Sequence, residues 1–213
     1  MQLTKFGHAC MRLEKGGTTL VVDPGIFTRE DALRGADKVL ITHEHPDHFD
    51  GERLREAARA NPELEIWTNP AVASRLEDVG AYVHAVRHGD EFSAGAFGVR
   101  VFGENHAVIH RDLPLLTNVG FLVDGTVFYP GDALTVPEVP VDTLLVPTNA
   151  PWMKIGEMID YLRDVRPTRA YSTHDGLMNE NGLSVIDAQL ERVGGEDDAE
   201  YRRLAPGTSV ELS

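Results

Sequence analysis

The stretch Thr42-His43-Glu44-His45-Pro46-Asp47-His48-Phe49-Asp50-Gly51 follows an apolar run and sets three imidazoles and the Asp47 carboxylate within six positions. Imidazole nitrogen is a borderline ligand that suits zinc, iron or manganese, and a hard carboxylate oxygen beside it raises the affinity for a divalent cation. In an extended segment side chains alternate with period two, so His43 and His45 point the same way and reach one ion. Pro46 removes a backbone donor and bends the path, which turns Asp47 and His48 toward a second ion. A polar surface turn offers no reason for histidines to crowd directly after a strand. The spacing therefore predicts a metal centre with room for two ions.

Outward from this stretch, Lys38-Val39-Leu40-Ile41-Thr42 has an unbroken apolar centre and reads as a strand buried on both faces, with the metal loop leaving its C-terminal end. Gly51–Ala60 holds strong helix formers and stops at Asn61-Pro62. A strand over Leu64–Thr68, a helix over Pro70–Val79 closed by Gly80, and a strand over Tyr82–Val86 continue the alternation. Upstream, Leu3–Phe6, Cys10–Leu13 and Thr18–Val22 read as a meander with Gly16-Gly17 as a hairpin turn, followed by a short helix or helical turn over Arg29–Gly35. From Glu91 the β runs return as Phe97–Phe102, Val119–Val123 and Thr126–Tyr129. Then come a strand over Thr143–Val146, a helix over Lys154–Val165, a strand over Ala170–Thr173 and a helix over Ser184–Val193 closed by Gly194-Gly195. Tyr201–Leu204 and Ser209–Leu212 look like edge strands. Strands first, then strand–helix units, then the same order again predicts an α/β (α+β) chain: a four-layer αββα sandwich of two mixed sheets with helices on both outer faces.

A two-ion site needs about six or seven protein ligands, and the loop supplies four. His106, Asp132 and His174 each follow an apolar strand and are the candidates for the rest. At this point the chain resembles a known family. His43-Glu44-His45-Pro46-Asp47-His48 matches the His-x-His-x-Asp-His motif of the metallo-β-lactamase-fold hydrolases, and the compact group that includes ascorbate-6-phosphate lactonase-like enzymes is the most similar. The resemblance implies that His43, His45 and His106 hold one ion, that Asp47, His48 and His174 hold the second, and that Asp132 bridges them. His110 is the alternative to His106, and only spacing from the strand separates the two. Histidine rather than glutamate at position 45 favours the hydrolase branch over the di-iron oxygen-reducing one. Family members often carry a Gly-His near the position of Gly7-His8, which makes His8 a candidate substrate contact. Asn149, after another strand, is a candidate donor to an oxyanion, and Asp23 a candidate partner that orients a ligand histidine. His84 and His88 read as surface or capping residues.

With 213 residues, one domain over 1–213 is expected. Lys+Arg 20 against Asp+Glu 34 gives a net charge of −14, which repels polyanions and makes nucleic acid an unlikely partner. Cys10 is the only cysteine, so no intramolecular disulfide forms, and it reads as a small buried apolar residue. No apolar run approaches the roughly 20 residues of a membrane span, and the segment from Met1 to His8 lacks the apolar core of a secretion signal. A cytoplasmic protein acting on a small molecule is expected, without a membrane partner and with association into a homo-oligomer left open. The function this implies is hydrolysis of a small ester, lactone or phosphorylated metabolite by a metal-bridging hydroxide, with Asp47 and Asp132 as the catalytic carboxylates and two divalent ions, zinc first and manganese or iron as alternatives. A phosphodiesterase or nuclease with the same ions, and a catalytically silent metal-binding regulator, are the rival readings.

Overall fold

Period-two patterning decides which strand faces which layer. In the computed structural model, which describes residues 1–79 and 82–212, β1 (Gln2–Lys5), β2 (Met11–Lys15) and β3 (Thr18–Val22) pair antiparallel, and β3 pairs parallel with β4 (Lys38–Ile41). β5 (Glu65–Thr68) and β6 (Tyr82–Ala85) extend the parallel half, and β14 (Ser209–Glu211) closes the other edge beside β1. The second sheet repeats the plan. β7 (Glu91–Ala94), β8 (Phe97–Phe102), β9 (Gly120–Val123) and β10 (Val127–Tyr129) are antiparallel, then β11 (Thr143–Pro147), β12 (Arg169–Thr173) and β13 (Glu200–Arg202) are parallel. β13 and β14 are both edge strands, as their short β-prone runs predict.

Strands buried on both faces divide their side chains between layers. Leu40 enters the core between the sheets while Val39 and Ile41 face the helix side; Leu145 and the pair Leu144 and Val146 do the same in the second sheet. α1 (Gly51–Ala60) and α2 (Pro70–Ala73) cover the first sheet with Leu54, Ala58 and Val72. α3 (Ile155–Val165) and α4 (Glu180–Asp197) cover the second with Met158, Leu162, Ile186 and Leu190. The result is the αββα sandwich expected from the element order.

Residues 30–35 form successive turns, the shorter of the two forms expected over Arg29–Gly35. Two helices differ from the sequence expectation. The helix starting at Pro70 ends at Ala73, because Arg75, Leu76 and Val79 donate to carbonyls three residues back and the chain tightens into turns; its expected stop at Gly80 lies outside the described residues. α4 begins earlier and runs through Gly194 and Gly195 to Asp197. A Cβ at Gly194 would lie 2.8 Å from the Ala199 carbonyl oxygen, so this glycine admits β13 against the helix instead of ending it. Among the described residues no helix is long and apolar enough to cross a membrane.

β3, β4, β8, β10, β11 and β12 all run the same way, and their C-terminal ends open on one edge of the sandwich. Every residue singled out as a metal ligand lies just beyond one of these ends.

Candidate metal centre

The chain leaves β4 through Thr42 and is held by Asp23, which is fully buried at the end of β3 with φ +47. Asp23 accepts the Thr42 N–H at 2.8 Å, the Thr42 hydroxyl at 2.7 Å and the His48 Nδ1–H at 2.6 Å. Because the Thr42 proton goes to Asp23, His43 Nδ1 donates to the Thr42 oxygen at 2.9 Å. His106 and His174 donate their Nδ1 protons to the carbonyls of Ala107 and Asn149, both at 2.6 Å. Four histidines are therefore tied through Nδ1 and turn Nε2 inward, the arrangement by which outer partners fix the tautomer of a metal-ligating imidazole. His45 comes from the other direction and brings Nδ1 to 3.0 Å from His43 Nε2.

These nitrogens converge on Asp132. Its carboxylate lies 3.1 Å from His48 Nε2, 3.3 Å from His106 Nε2 and 3.1 Å from His174 Nε2. His48 Nε2, His106 Nε2, His174 Nε2 and Asp132 Oδ1 are all buried, and none makes a hydrogen bond. Buried polar atoms left without hydrogen bonds carry a large desolvation cost unless something else satisfies them, and a histidine–carboxylate set with free lone pairs fits divalent cations. The potential ligand atoms group as His43, His45, His106 and Asp132 on one side, and as His48, Asp132 and His174 beside His8, Asp47 and His174 on the other.

The electrostatics agree with a site built for positive charge. Burial alone would raise Asp132, but the His48 charge and the His106 and His174 rings hold it well below the usual carboxylate range. Burial likewise opposes ionisation of Asp47, yet His174 and His8 keep it low. Burial would lower His174, and Asp132 and Asp47 push it up to about 9. His43 falls well below its usual value through burial and the neighbouring His48 charge. The carboxylates thus demand cations, and ions binding at Nε2 would displace the protons that otherwise supply them.

His8 is buried rather than lining an open surface. Its Nδ1 accepts the Gly176 N–H at 3.0 Å, so Nε2 carries the proton and donates to Asp47 Oδ2 at 3.2 Å. Asn149 meets the site through the backbone carbonyl already described. His110 is exposed and lies outside the group, with Nδ1 accepting the Asp112 N–H at 3.2 Å. His84 stacks on Trp67 at 4.8 Å and His88 accepts the Gly103 N–H, both away from the centre.

Several contributors escape the sequence motifs. Trp152 Nε1–H donates to Asp132 Oδ2 at 3.1 Å, and Asn118 takes the Asp132 N–H on its carbonyl at 3.0 Å. Lys5 is fully buried beneath the His174 turn, donating to the Ser172 carbonyl at 2.9 Å and to Asp175 at 2.5 Å. Burial lowers its pKa despite Asp175. A signal for Lys5 existed: period two places it on the same inward face as Leu3. Trp152 and Asn118 carry no such signal, since both reach Asp132 through long-range folding.

Asp23→Asn replaces one accepting oxygen with a donor among three donors. Metal affinity is expected to fall about 10–100-fold, as for other outer partners of ligands, and chelator competition measures it. Unchanged affinity would mean that Asp23 does not orient His43 and His48.

A family model described as Beta-lactamase superfamily domain matches residues 2–174. Protein Rv0786c of Mycobacterium tuberculosis is 40% identical over 196 residues, covering 89% of this chain and 91% of that protein. A UPF0173 protein of Pyrococcus furiosus is 29% identical over 200 residues, covering 90% of this chain and 91% of the relative. Igni18, a metallo hydrolase from Ignicoccus hospitalis, shares the fold with a TM-score of 0.76 at 20% identity, over 100% of this chain and 99% of that one.

Proposed function

The chain belongs to the beta-lactamase superfamily domain family, and from that premise we propose that this metal-dependent hydrolase holds two ions and acts on a small ester, lactone or phosphorylated metabolite. The observation that carries the reading is the convergence of buried, hydrogen-bond-free His48 Nε2, His106 Nε2, His174 Nε2 and Asp132 Oδ1, each imidazole anchored through its other nitrogen. His43, His45, His106 and Asp132 would hold one ion, and Asp47, His48, Asp132 and His174 the other. Zinc suits a set so rich in imidazole, with manganese and iron as competitors. The chemistry that divalent ions would supply at these residues is polarisation of the bond under attack and a lowered water pKa near neutral pH.

The residues divide the remaining work. Asp132, with a buried side chain, is kept in one orientation by Trp152. Asp47 is the more accessible carboxylate, with an 18% exposed side chain, and stands where a proton can pass between the reacting centre and solvent. His8 keeps Asp47 in place through Nε2–H, so we assign it positioning of Asp47 in addition to any substrate contact. His8→Ala is expected to weaken metal retention on the Asp47 side by about 10–100-fold, with partial recovery in His8→Gln, whose amide can still donate. Metal titration checks this, and wild-type affinity in His8→Ala would remove the positioning role.

The deciding experiment is metal content by inductively coupled plasma mass spectrometry on protein purified without chelator or affinity nickel, beside His106→Ala. About two ions per chain are expected, with fewer in the variant. Protein that is metal-free and cannot be reconstituted would overturn the hydrolase reading.

A further inference from the structure

The exposed large apolar side chains are not scattered. Among the described residues, all but Tyr82 and Val185 lie on segments that follow the C-terminal ends of β3, β8, β10, β11 and β12, the same edge that carries the metal ligands. Phe27 sets its ring edge-on to His8 at 5.7 Å between centroids, and Leu177 directly follows the His174-Asp175-Gly176 turn.

The densest part is the loop 105–116. Its base is fastened on both sides of the centre: the Ala107 N–H donates to the Asp132 carbonyl at 2.8 Å, and the His106 N–H to the Leu116 carbonyl at 2.9 Å. Above that base lies a pocket of about 180 Å³ lined by His106, Val108, Ile109, Leu113, Leu115 and Leu116, with His110 and Arg111 as its other polar members. His106 is thus shared between a largely aliphatic pocket and the metal group. Val108, Leu113 and Leu115 are each more than half exposed, an arrangement that costs solubility unless a ligand uses it.

Several cations near the ligand-bearing segments are engaged: Lys5 with Asp175, Arg75 with Glu44, and Arg53 with the carbonyls of Gly25 and Thr28. Arg111 also lines the pocket, with its side chain 88% exposed and 3.8 Å from Asp112. The pocket thus pairs aliphatic side chains with one exposed guanidinium.

We infer that the substrate carries an apolar chain of several carbons on its hydrolysable group, seated in the 105–116 pocket while that group lies at the metals. This rests on the proposed hydrolase reading and narrows its substrate class.

Straight-chain hydroxamates from acetyl to decanoyl, titrated calorimetrically into metal-loaded protein, test it, since the hydroxamate head binds metal and only the chain varies. Affinity is expected to tighten about threefold to fourfold per added methylene until the pocket is full. The double variant Leu113→Ser, Leu115→Ser is expected to lose more than half of that dependence, with its metal content reporting that the centre is intact. A flat series, or no binding at any length, on metal-loaded protein overturns the apolar-substrate assignment and leaves the hydrolase reading standing. A flat series together with a concentration-dependent dimer that the double variant loses gives the apolar rim to a second copy of the chain instead. Protein that neither retains metal nor binds any hydroxamate overturns the metal-centre reading, and the substrate class with it.

Discussion

Asp132→Ala is expected to lose most of its bound metal and to turn over substrate at least about a thousandfold more slowly, a loss of ~4 kcal/mol of transition-state stabilisation. The size follows from position. Among the described residues, Asp132 is the one side chain within 3.3 Å of three imidazoles from three different segments, and it belongs to both main ligand groups. Removing it takes a ligand from each ion. In the metal-free state His48 keeps its bond to Asp23 and His174 stays 3.3 Å from Asp47, so the variant should remain folded while its centre is empty. Circular dichroism beside metal analysis separates these outcomes. His45→Ala, which removes a half-exposed ligand from one group only, should cost less metal. Wild-type metal content and hydrolysis in Asp132→Ala would sink the mechanism.

Gly25→Ala should be the most damaging change outside the ligands. A Cβ built on Gly25 would sit 2.0 Å from the Asp47 carbonyl carbon and 2.4 Å from the His48 nitrogen. Those are backbone atoms, so no rotamer relieves the clash. The 43–48 loop is stitched to this turn by the Ile26 N–H donating to the Pro46 carbonyl at 2.8 Å, and the two must separate. Overpacking of this kind typically costs 1–3 kcal/mol and occasionally more, and here we expect about 3 kcal/mol or above. Because the displaced segment carries Asp47 and His48 while His43 still leaves β4, metal content should drop toward about one ion per chain rather than zero. Thermal unfolding and metal analysis on the same sample check both halves. A variant with wild-type melting and metal content would show that the close approach is not required.

The range of an interaction decides whether its outcome is legible in the chain. β3 and α1 matched their expected bounds because each is set locally: Gly16-Gly17 turns into one, and Asp50 caps the other by accepting the N–H groups of Glu52 and Arg53. α4 runs past Gly194, which locally reads as a stop, because the lack of a side chain there serves a contact with β13. His106 and His110 have the same chemistry, and along the chain only their spacing from β8 separates them. In the fold the Ala107–Asp132 backbone bond, a contact with the segment after β10, ties His106 to the centre.

The clustering of metal-ligand side chains over 43–48, the two-sheet order of strands, and the strand ends beside which the candidate ligands lie are legible in the chain, because period two, turn chemistry and ligand type act over a few residues. How those ends meet is a matter of tertiary packing: Asp23 sets the tautomers of His43 and His48, His8 holds Asp47, Trp152 and Asn118 fix Asp132, and Lys5 lies buried under the His174 turn. Each of these contacts joins segments distant in sequence. Such bonds become defined when the two sheets stack and bring their C-terminal ends to a common edge, where burial leaves a polar group with few partners to choose from.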